Sequence, residues 1–247
     1  MHDDDTDWRD FITDDAYQAH SRWYHRGRVG SGRLDLEDAN LRGACVASLR
    51  GSRLVRCDLS QSMMPLGGMD DVEWIDCVIR DANLSDISFD RALLTRCDYS
   101  RSLMPVTYFR DAKLVRCVFD HAALGRSRFE RARVTHCSFR NAQLENATML
   151  ASRFEDCDFR DTALWRDDDI IGWWKGTTFV RCDFRGADLQ GRPFAEATFE
   201  NCAFYGAAGL PLLDATTMLL DSDMSPEYDG TAIVPGPVRD WASLQRP

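Results

Sequence analysis

Residues 112–131 read AKLVR CVFDH AALGR SRFER, four groups of five in which the third residue is large and apolar and the first is small. The same register runs without a break from Ser52 to Leu164, where all 23 third positions are apolar in a chain that is 44% hydrophobic. Of the 23 first positions, 21 are Ala, Gly, Ser, Cys or Thr; the exceptions are Val72 and Ile87. This stretch therefore has a period of five residues.

Cysteine follows a longer period within the same stretch. Six cysteines occupy first positions at intervals of twenty residues: Cys57, Cys77, Cys97, Cys117, Cys137 and Cys157. An amphipathic helix needs apolar residues three and four apart and a half-buried strand needs them two apart, so neither fits. A period of five within a period of twenty predicts a coil with four sides per turn, in which equivalent side chains stack on neighbouring coils.

Several groups share one consensus, namely ANLRG at Ala39–Gly43, ANLSD at Ala82–Asp86 and ADLQG at Ala187–Gly191. With these groups the chain resembles the pentapeptide-repeat family, whose A(D/N)LXX unit covers about two thirds of the sequence. The resemblance implies an all-β solenoid, a right-handed quadrilateral β-helix of about eight coils. It also implies a link to the family's best-known activity, the imitation of DNA by an acidic, rod-shaped dimer that occupies DNA gyrase.

The two ends of the chain lack this register. We expect an N-terminal helical cap over residues 1–33, the β-helix over 34–206, and a mixed C-terminal cap over 207–247. A cap is needed because the end of a β-helix exposes unpaired backbone edges. The N-terminal segment has an apolar stripe at helical spacing, formed by Trp8, Ile12, Ala16, Ala19 and Trp23.

Two irregularities interrupt the repeats. Leu49–Gly51 is interpreted as a three-residue bulge that reconciles two phases of the pattern. The second is larger: Cys157 and Cys182 are 25 residues apart, so residues 167–176 are predicted to occupy, with ten residues, a side that normally takes five.

This insert is one candidate site, because loops on rigid scaffolds often carry function. Its candidate ligand-binding residues are Asp167, Asp168, Asp169, Trp173, Trp174 and Lys175. The alternative is that the tryptophans form a local core and the aspartates are solvated.

A second candidate surface lies on the side of the coil that contains Met64, Met104 and Leu164. Its outward positions carry apolar residues: Met63, Pro65, Leu66, Leu103, Pro105, Val106 and Trp165. Contiguous exposed apolar area indicates that something packs there. The protein's own C-terminal tail, a partner and a second subunit all remain open as occupants, and so does the oligomeric state.

Charge argues against simple DNA mimicry. The net charge is −10, but residues 36–204 hold 23 Lys and Arg against 26 Asp and Glu, so most of the excess lies in the flanks. The side containing Leu54 also carries a row of outward basic residues: Arg53, Arg56, Arg96, Lys113, Arg116, Arg133, Arg153 and Arg181. Such a stripe opposes mimicry on that side and suits the acidic flanks or an anionic partner.

Catalytic signals are sparse. The sequence contains no Gly-rich phosphate loop, nucleophile elbow, His-Glu-x-x-His or Cys-x-x-Cys motif, so we expect no cofactor and no metal. Eight of nine cysteines fall at small inward positions and are read as core filler in a reducing compartment. We see neither a membrane-spanning run nor a secretory leader and expect a cytoplasmic protein.

The sequence thus favours a non-catalytic protein-binding β-helix, with no direct binding to nucleic acid or membranes. Its sharpest form is a protein that binds DNA gyrase or another type II topoisomerase and protects it from poisons by DNA mimicry. The alternatives are an interaction scaffold of unknown partner and an enzyme centred on the insert at 167–176.

Overall fold

The computed structural model describes residues 33–44, 46, 48–64, 68–164, 174–189, 194–209, 215–223 and 233–237. The predicted N-terminal helical cap and most of the predicted C-terminal cap lie outside the described residues.

One sheet runs through the described part of the chain. Its strands are β1 (Asp35–Glu37), β2 (Arg53–Val55), β3 (Glu73–Ile75), β4 (Leu93–Thr95), β5 (Lys113–Val115), β6 (Arg133–Thr135), β7 (Arg153–Glu155), β8 (Thr178–Val180), β9 (Thr198–Glu200), β10 (Met218–Asp223) and β11 (Ile233–Pro237). Strands β1 to β10 pair in parallel and in sequence order, and β11 pairs antiparallel with β10. The predicted β-solenoid is confirmed.

The other three sides of each coil pair with the next coil through single parallel bridges, such as Asp98 with Val118, Leu103 with Ala123 and Tyr108 with Arg128. We name the sides by their large inward residues. They are the strand side (Leu54, Leu94, Leu114), the cysteine side (Leu59, Ile79, Tyr99, preceded by the cysteines), the methionine side (Met64, Leu84, Met104) and the aromatic side (Phe89, Phe109, Phe129).

The corners between sides share one backbone conformation. On the methionine side, φ is +55° at Asp86, +58° at Val106, +61° at Arg126 and +61° at Asn146. Residues other than glycine rarely adopt this left-handed region, and Asp and Asn tolerate it best. Each corner therefore depends on the fifth residue of its group, where Asp, Asn and Gly recur and Arg is also frequent.

The core consists of columns of like side chains. The rings of Phe119, Phe139 and Phe159 stack with centroids 5.0 and 4.9 Å apart and nearly parallel planes, as predicted from their spacing of twenty. The column continues to Tyr99 at one end and to Phe204 at the other. Neighbouring columns meet edge to face, as Phe129 does with Phe139 at 6.1 Å. Offset-stacked and edge-to-face contacts are both favourable for aromatic rings.

The cysteines form a column of their own beside these rings. All eight described cysteines are buried and free, which confirms their inward placement. Each Sγ lies near backbone carbonyls; that of Cys97 donates to the carbonyls of Trp74 and Thr95, both at 3.5 Å. The thiols thus fill the small inward positions as weakly polar core residues.

Both interruptions of the register are resolved. The predicted bulge at Leu49–Gly51 is wrong, because Leu36 pairs with Leu54 across a coil of only 18 residues and Leu49 is fully buried in the core. The first coil has lost two residues between Val46 and Leu49. The later insertion of five residues is confirmed, since Phe154 pairs with Phe179.

The stack also continues beyond Gly206. Strand β10 pairs in register with β9, Leu219 with Phe199, and Leu219 is fully buried. Thr217 and Ser222 are buried at the small positions of this last coil. The sequence pattern is weak here because Gly209 and Asp214 occupy the two preceding large positions, although the spacing of twenty from Phe199 to Leu219 is kept.

Replacing Phe139 by Ala removes a ring that contacts its column on both faces, and we expect it to reduce the free energy of unfolding by roughly 3 to 5 kcal/mol. Urea denaturation followed by circular dichroism measures this loss. Arg140→Ala, a change to an exposed neighbour, should alter stability by less than ~0.5 kcal/mol. A comparable loss in both variants would contradict the column.

Tyr99 offers the opposite test. Its hydroxyl is buried and has no hydrogen-bond partner within the described residues, and burial raises the pKa of its phenol. An unpaired buried hydroxyl costs free energy, so Tyr99→Phe should leave the protein as stable or more stable by up to ~1 to 3 kcal/mol. Thermal unfolding measures the change. A clear loss of stability would mean that the hydroxyl has a partner.

Candidate functional site

The methionine side exposes apolar residues as predicted. Met63 and Leu103 are 52% and 53% exposed and lie in the same outward column, separated by Asn83. Pro105 and Val106 form the adjoining corner and are half-buried. The structure therefore brings four of the predicted apolar residues to one face, whereas Pro65, Leu66 and Trp165 lie outside the described residues.

Val106 is unusual within this face. Its φ of +58° places a β-branched residue in the left-handed region, where such side chains are outliers. Its backbone N–H donates to the carbonyl of Gly125 at 2.9 Å, so the strained corner is held by the neighbouring coil. Strain of this kind persists only where the surrounding structure imposes it, and it often marks functional positions.

The insert between the methionine and aromatic sides gives a different result from the predicted exposed aromatic site. Trp174 is 1% exposed and occupies the large inward position of the aromatic side, 5.2 Å from the ring of Phe194 and 4.9 Å from that of Phe179. Its prediction as a binding residue is corrected, because an indole of this size fills the core. Lys175 is exposed and its Nζ lies 2.9 Å from Glu196. Trp173, Asp167, Asp168 and Asp169 lie outside the described residues.

The corners carry a set of ion pairs that the sequence analysis missed. Arg91 donates through Nε and Nη2 to Asp71 of the preceding coil, at 2.7 and 2.8 Å. The same paired geometry recurs at several corners: Asp38 with Arg56, Asp76 with Arg96, Asp81 with Arg101, Asp111 with Arg131, and Asp156 with Arg181. The signal was present as Asp followed by Arg one coil later.

These pairs neutralise the surface of the rod. Hydrogen bonds from Arg91 and Arg131 hold the pKa of Asp71 and of Asp111 below the usual carboxyl value. The carboxylates therefore stay ionised, and each has a guanidinium bound to both of its oxygens. A DNA-like row of free negative charge does not form at these corners.

The basic residues predicted to form a stripe on the strand side fall into two groups, those with an ion pair among the described residues and those without one. Arg56, Arg96 and Arg181 belong to corner pairs, and Arg53 lies 3.2 Å from Asp35. Lys113, Arg116 and Arg133 are exposed, and the described part of the chain provides none of them with an ion pair. The stripe thus reduces to a short cationic patch in the middle of the rod.

Chemistry at the thiols is limited by burial. No group of three or more His, Cys, Asp or Glu side chains among the described residues is arranged to hold a metal ion. Burial raises the pKa of the Cys137 and Cys182 thiols, which therefore remain protonated and poorly nucleophilic.

Comparison with known proteins identifies the repeat. Residues 122–161 match the family model for pentapeptide repeats in eight copies. No curated protein sequence matches the chain.

Solved structures give distant similarities. QnrB1, a plasmid-mediated fluoroquinolone resistance protein, is 16% identical with a TM-score of 0.32, over 77% of this chain and 91% of that one. HetL, a pentapeptide repeat protein involved in heterocyst differentiation regulation in the cyanobacterium Nostoc, is 16% identical with a TM-score of 0.29, over 82% and 94%. A pentapeptide repeat protein of the Arabidopsis thaliana thylakoid lumen is 21% identical with a TM-score of 0.20, over 48% and 67%. These similarities are too distant to transfer a function.

The buried thiols of Cys137 and Cys182 predict a pH dependence of stability. Thiols in the unfolded chain ionise near pH ~8.5, whereas the raised pKa of Cys137 and Cys182 keeps them protonated in the folded state. Their contribution is complete below about pH 8.5 and is lost above it, at up to ~1.4 kcal/mol per pH unit for each thiol. Urea denaturation across this range measures the slope.

The control is the double variant Cys137→Ala and Cys182→Ala, because Ala39 already fills the same inward position in the first coil. Its stability should depend less steeply on alkaline pH than that of the unchanged protein. Equal slopes would show that the thiols do not cause the effect.

Proposed function

We propose that this chain, a member of the pentapeptide-repeat family, is a non-catalytic rod that binds a protein partner. The observation that carries the proposal is the exposed apolar face of the methionine side, defined by Met63, Leu103, Pro105 and Val106. Exposed apolar residues cost solubility and do nothing for the core. They are expected where a partner covers them.

The backbone strain at Val106 supports the same face. An Asp, Asn or Gly would turn this corner with less strain, as Asp86 and Asn146 do in other coils of the same column. A residue that is unfavourable for the fold and apolar on the surface is better explained by binding than by stability.

A protein partner fits this surface better than a small-molecule substrate does. The apolar residues of the methionine side stand at outward positions of the rod, next to the buried residues Met64 and Met104. Small ligands prefer concave pockets that bury most of their surface, whereas flat faces with apolar centres and polar rims suit proteins.

Within this proposal the sharpest form is a protein that binds DNA gyrase or another type II topoisomerase and protects it against poisons. The family resemblance supports it. The Asp and Arg pairs at the corners weigh against DNA mimicry as its means, because they cancel the negative charge that mimicry requires. An interaction scaffold for another protein is the alternative that the methionine side itself favours.

The thiols support a proposal for the protein's location. Eight free buried cysteines suit a reducing compartment, and we propose the cytoplasm. Among the residues that the structure describes, none belongs to a helix long and apolar enough to cross a membrane.

A supercoiling assay with DNA gyrase tests the sharp form. Protein is titrated with and without a gyrase poison, and we expect inhibition of supercoiling or protection from the poison. The double variant Leu103→Ser and Val106→Asn should abolish the effect while the fold is retained or stabilised, because the substitutions remove exposed apolar area and relieve the corner.

Absence of any effect at micromolar protein would exclude the topoisomerase form and leave the scaffold. An effect that the double variant keeps in full would exclude the methionine side as its origin. Met63→Ser should act in the same direction as the double variant, since Met63 lies in the same outward column.

A further inference from the structure

The outward residues that begin each strand form a column, and the sequence of charges in this column changes along the rod. Its members, paired in register from β1 to β7, are Asp35, Arg53, Glu73, Leu93, Lys113, Arg133 and Arg153. In the first coils the charges alternate, and Arg53 lies 3.2 Å from Asp35 and 3.6 Å from Glu73. From Lys113 to Arg153, three cations follow one another. Like charges directly opposite on neighbouring strands are destabilising.

The neighbouring corner contains a column of Asp–Arg ion pairs, and these pairs are interrupted at the same coils. It forms the pair of Asp76 with Arg96 and, further along, the pair of Asp156 with Arg181. Between them stand Arg116 and His136; of these two, only His136 approaches a carboxylate of the described residues, 3.7 Å from Asp156. Within the described part of the chain, the strand column therefore leaves positive charge unmatched at Lys113 and Arg133, and the corner column adds Arg116 beside them.

The local composition agrees with this geometry. Residues 101–150 hold nine Lys and Arg against four Asp and Glu, although the chain as a whole has a net charge of −10. Asp111, an aspartate of the same coils, is bound by Arg131. Carboxylates to match Lys113, Arg116 and Arg133 are thus lacking among the described residues.

Apolar residues alternate with threonines beside these cations. Leu93 is 48% exposed and precedes Lys113 in the same column. Ile75, Thr95, Val115 and Thr135 stand in the next outward column and are half-buried. A groove of about 850 Å³ runs beside the cations and is lined by Lys113, Arg133 and Arg153 and by two carboxylates, Asp111 and Glu155. These carboxylates are already paired, Asp111 with Arg131 and Glu155 with Arg153.

We infer that this face of the strand side, defined by Leu93, Lys113, Val115, Arg116 and Arg133, docks an acidic segment of a partner protein. The inference rests on the proposed function and names a second contact surface and the chemistry of its partner. Carboxylates of the partner would complete the alternation that the rod's own residues leave unfinished. Aliphatic side chains of the same segment would cover Leu93 and Val115, for which a phosphate backbone offers no contact.

The test uses the whole protein and a short fluorescent peptide in which Glu alternates with Leu and Val, measured by fluorescence anisotropy. A Lys-for-Glu version of the peptide and a DNA duplex are the comparison ligands. We expect the acidic peptide to bind more tightly than both, and its affinity to fall as salt is raised, since the cations are exposed.

The decisive variant is Arg133→Glu. It places a carboxylate between Lys113 and Arg153 and restores the alternation seen at Arg53, so the fold should be as stable as before or more so. Affinity for the acidic peptide should nevertheless fall at least about tenfold. Arg140→Glu is the matched control, because it makes the same charge change at an exposed residue of the cysteine side and should leave affinity nearly unchanged.

Each outcome has a definite meaning. Loss of peptide binding in a stable Arg133→Glu variant supports the inference. Equal loss in Arg140→Glu, tighter binding of the DNA duplex, or no binding of the acidic peptide overturns it. A gyrase effect or other partner binding that survives Arg133→Glu and is abolished by Leu103→Ser would overturn this surface and leave the proposed function standing.

Discussion

The stacking of one coil on the next is the interaction on which the rest of the structure depends. Backbone hydrogen bonds join neighbouring coils on all four sides, as the N–H of Phe119 does with the carbonyl of Ser138 at 2.7 Å. Coils held this way lie about 4.8 Å apart, the spacing of paired strands. Residues twenty apart are consequently brought into contact whatever their chemistry. Aromatic rings at that spacing must stack, thiols must lie side by side, and surface charges must either alternate or repel.

The stacking of coils explains why the fold can be predicted from the sequence. Every side repeats the same small and large inward positions, so a single period of five and one of twenty predicted the solenoid, the column of Phe119, Phe139 and Phe159, and the inward cysteines. Because the pattern of small and large inward residues is repeated in many groups, each group supports the same prediction independently. At the ends fewer repeats are present, and the sequence does not predict the last coil, marked by Leu219, because Gly209 and Asp214 break the apolar series.

The irregular positions could not be predicted in the same way. A change of phase can be read as residues added or residues lost, and only the pairing of Leu36 with Leu54 shows that the first coil is short. For Trp174 the sequence left a binding site and a local core open, and the burial of its indole agrees with the core alternative, because the coil returns to phase at that residue. The ion pairs at the corners depend on contacts between coils, such as that of Arg91 with Asp71, and a scan along the chain for neighbouring charges does not find them.

A regular solenoid makes its exceptions informative, because each outward position has equivalents in other coils that show what the fold prefers. Val106 stands where Asp86 and Asn146 turn the same corner, and Leu103 stands where Asn83 and Gln143 are found. Lys113 and Arg133 face each other, whereas Arg53 in the same column is matched by carboxylates on both sides. In each case the fold would be served as well or better by the residue of a neighbouring coil. Departures that cost stability without improving the core are best explained by contacts outside the chain, and here they lie on two different sides of the rod. We therefore propose that the rod, with an apolar face on one side and a cationic face on another, holds a partner across more than one surface.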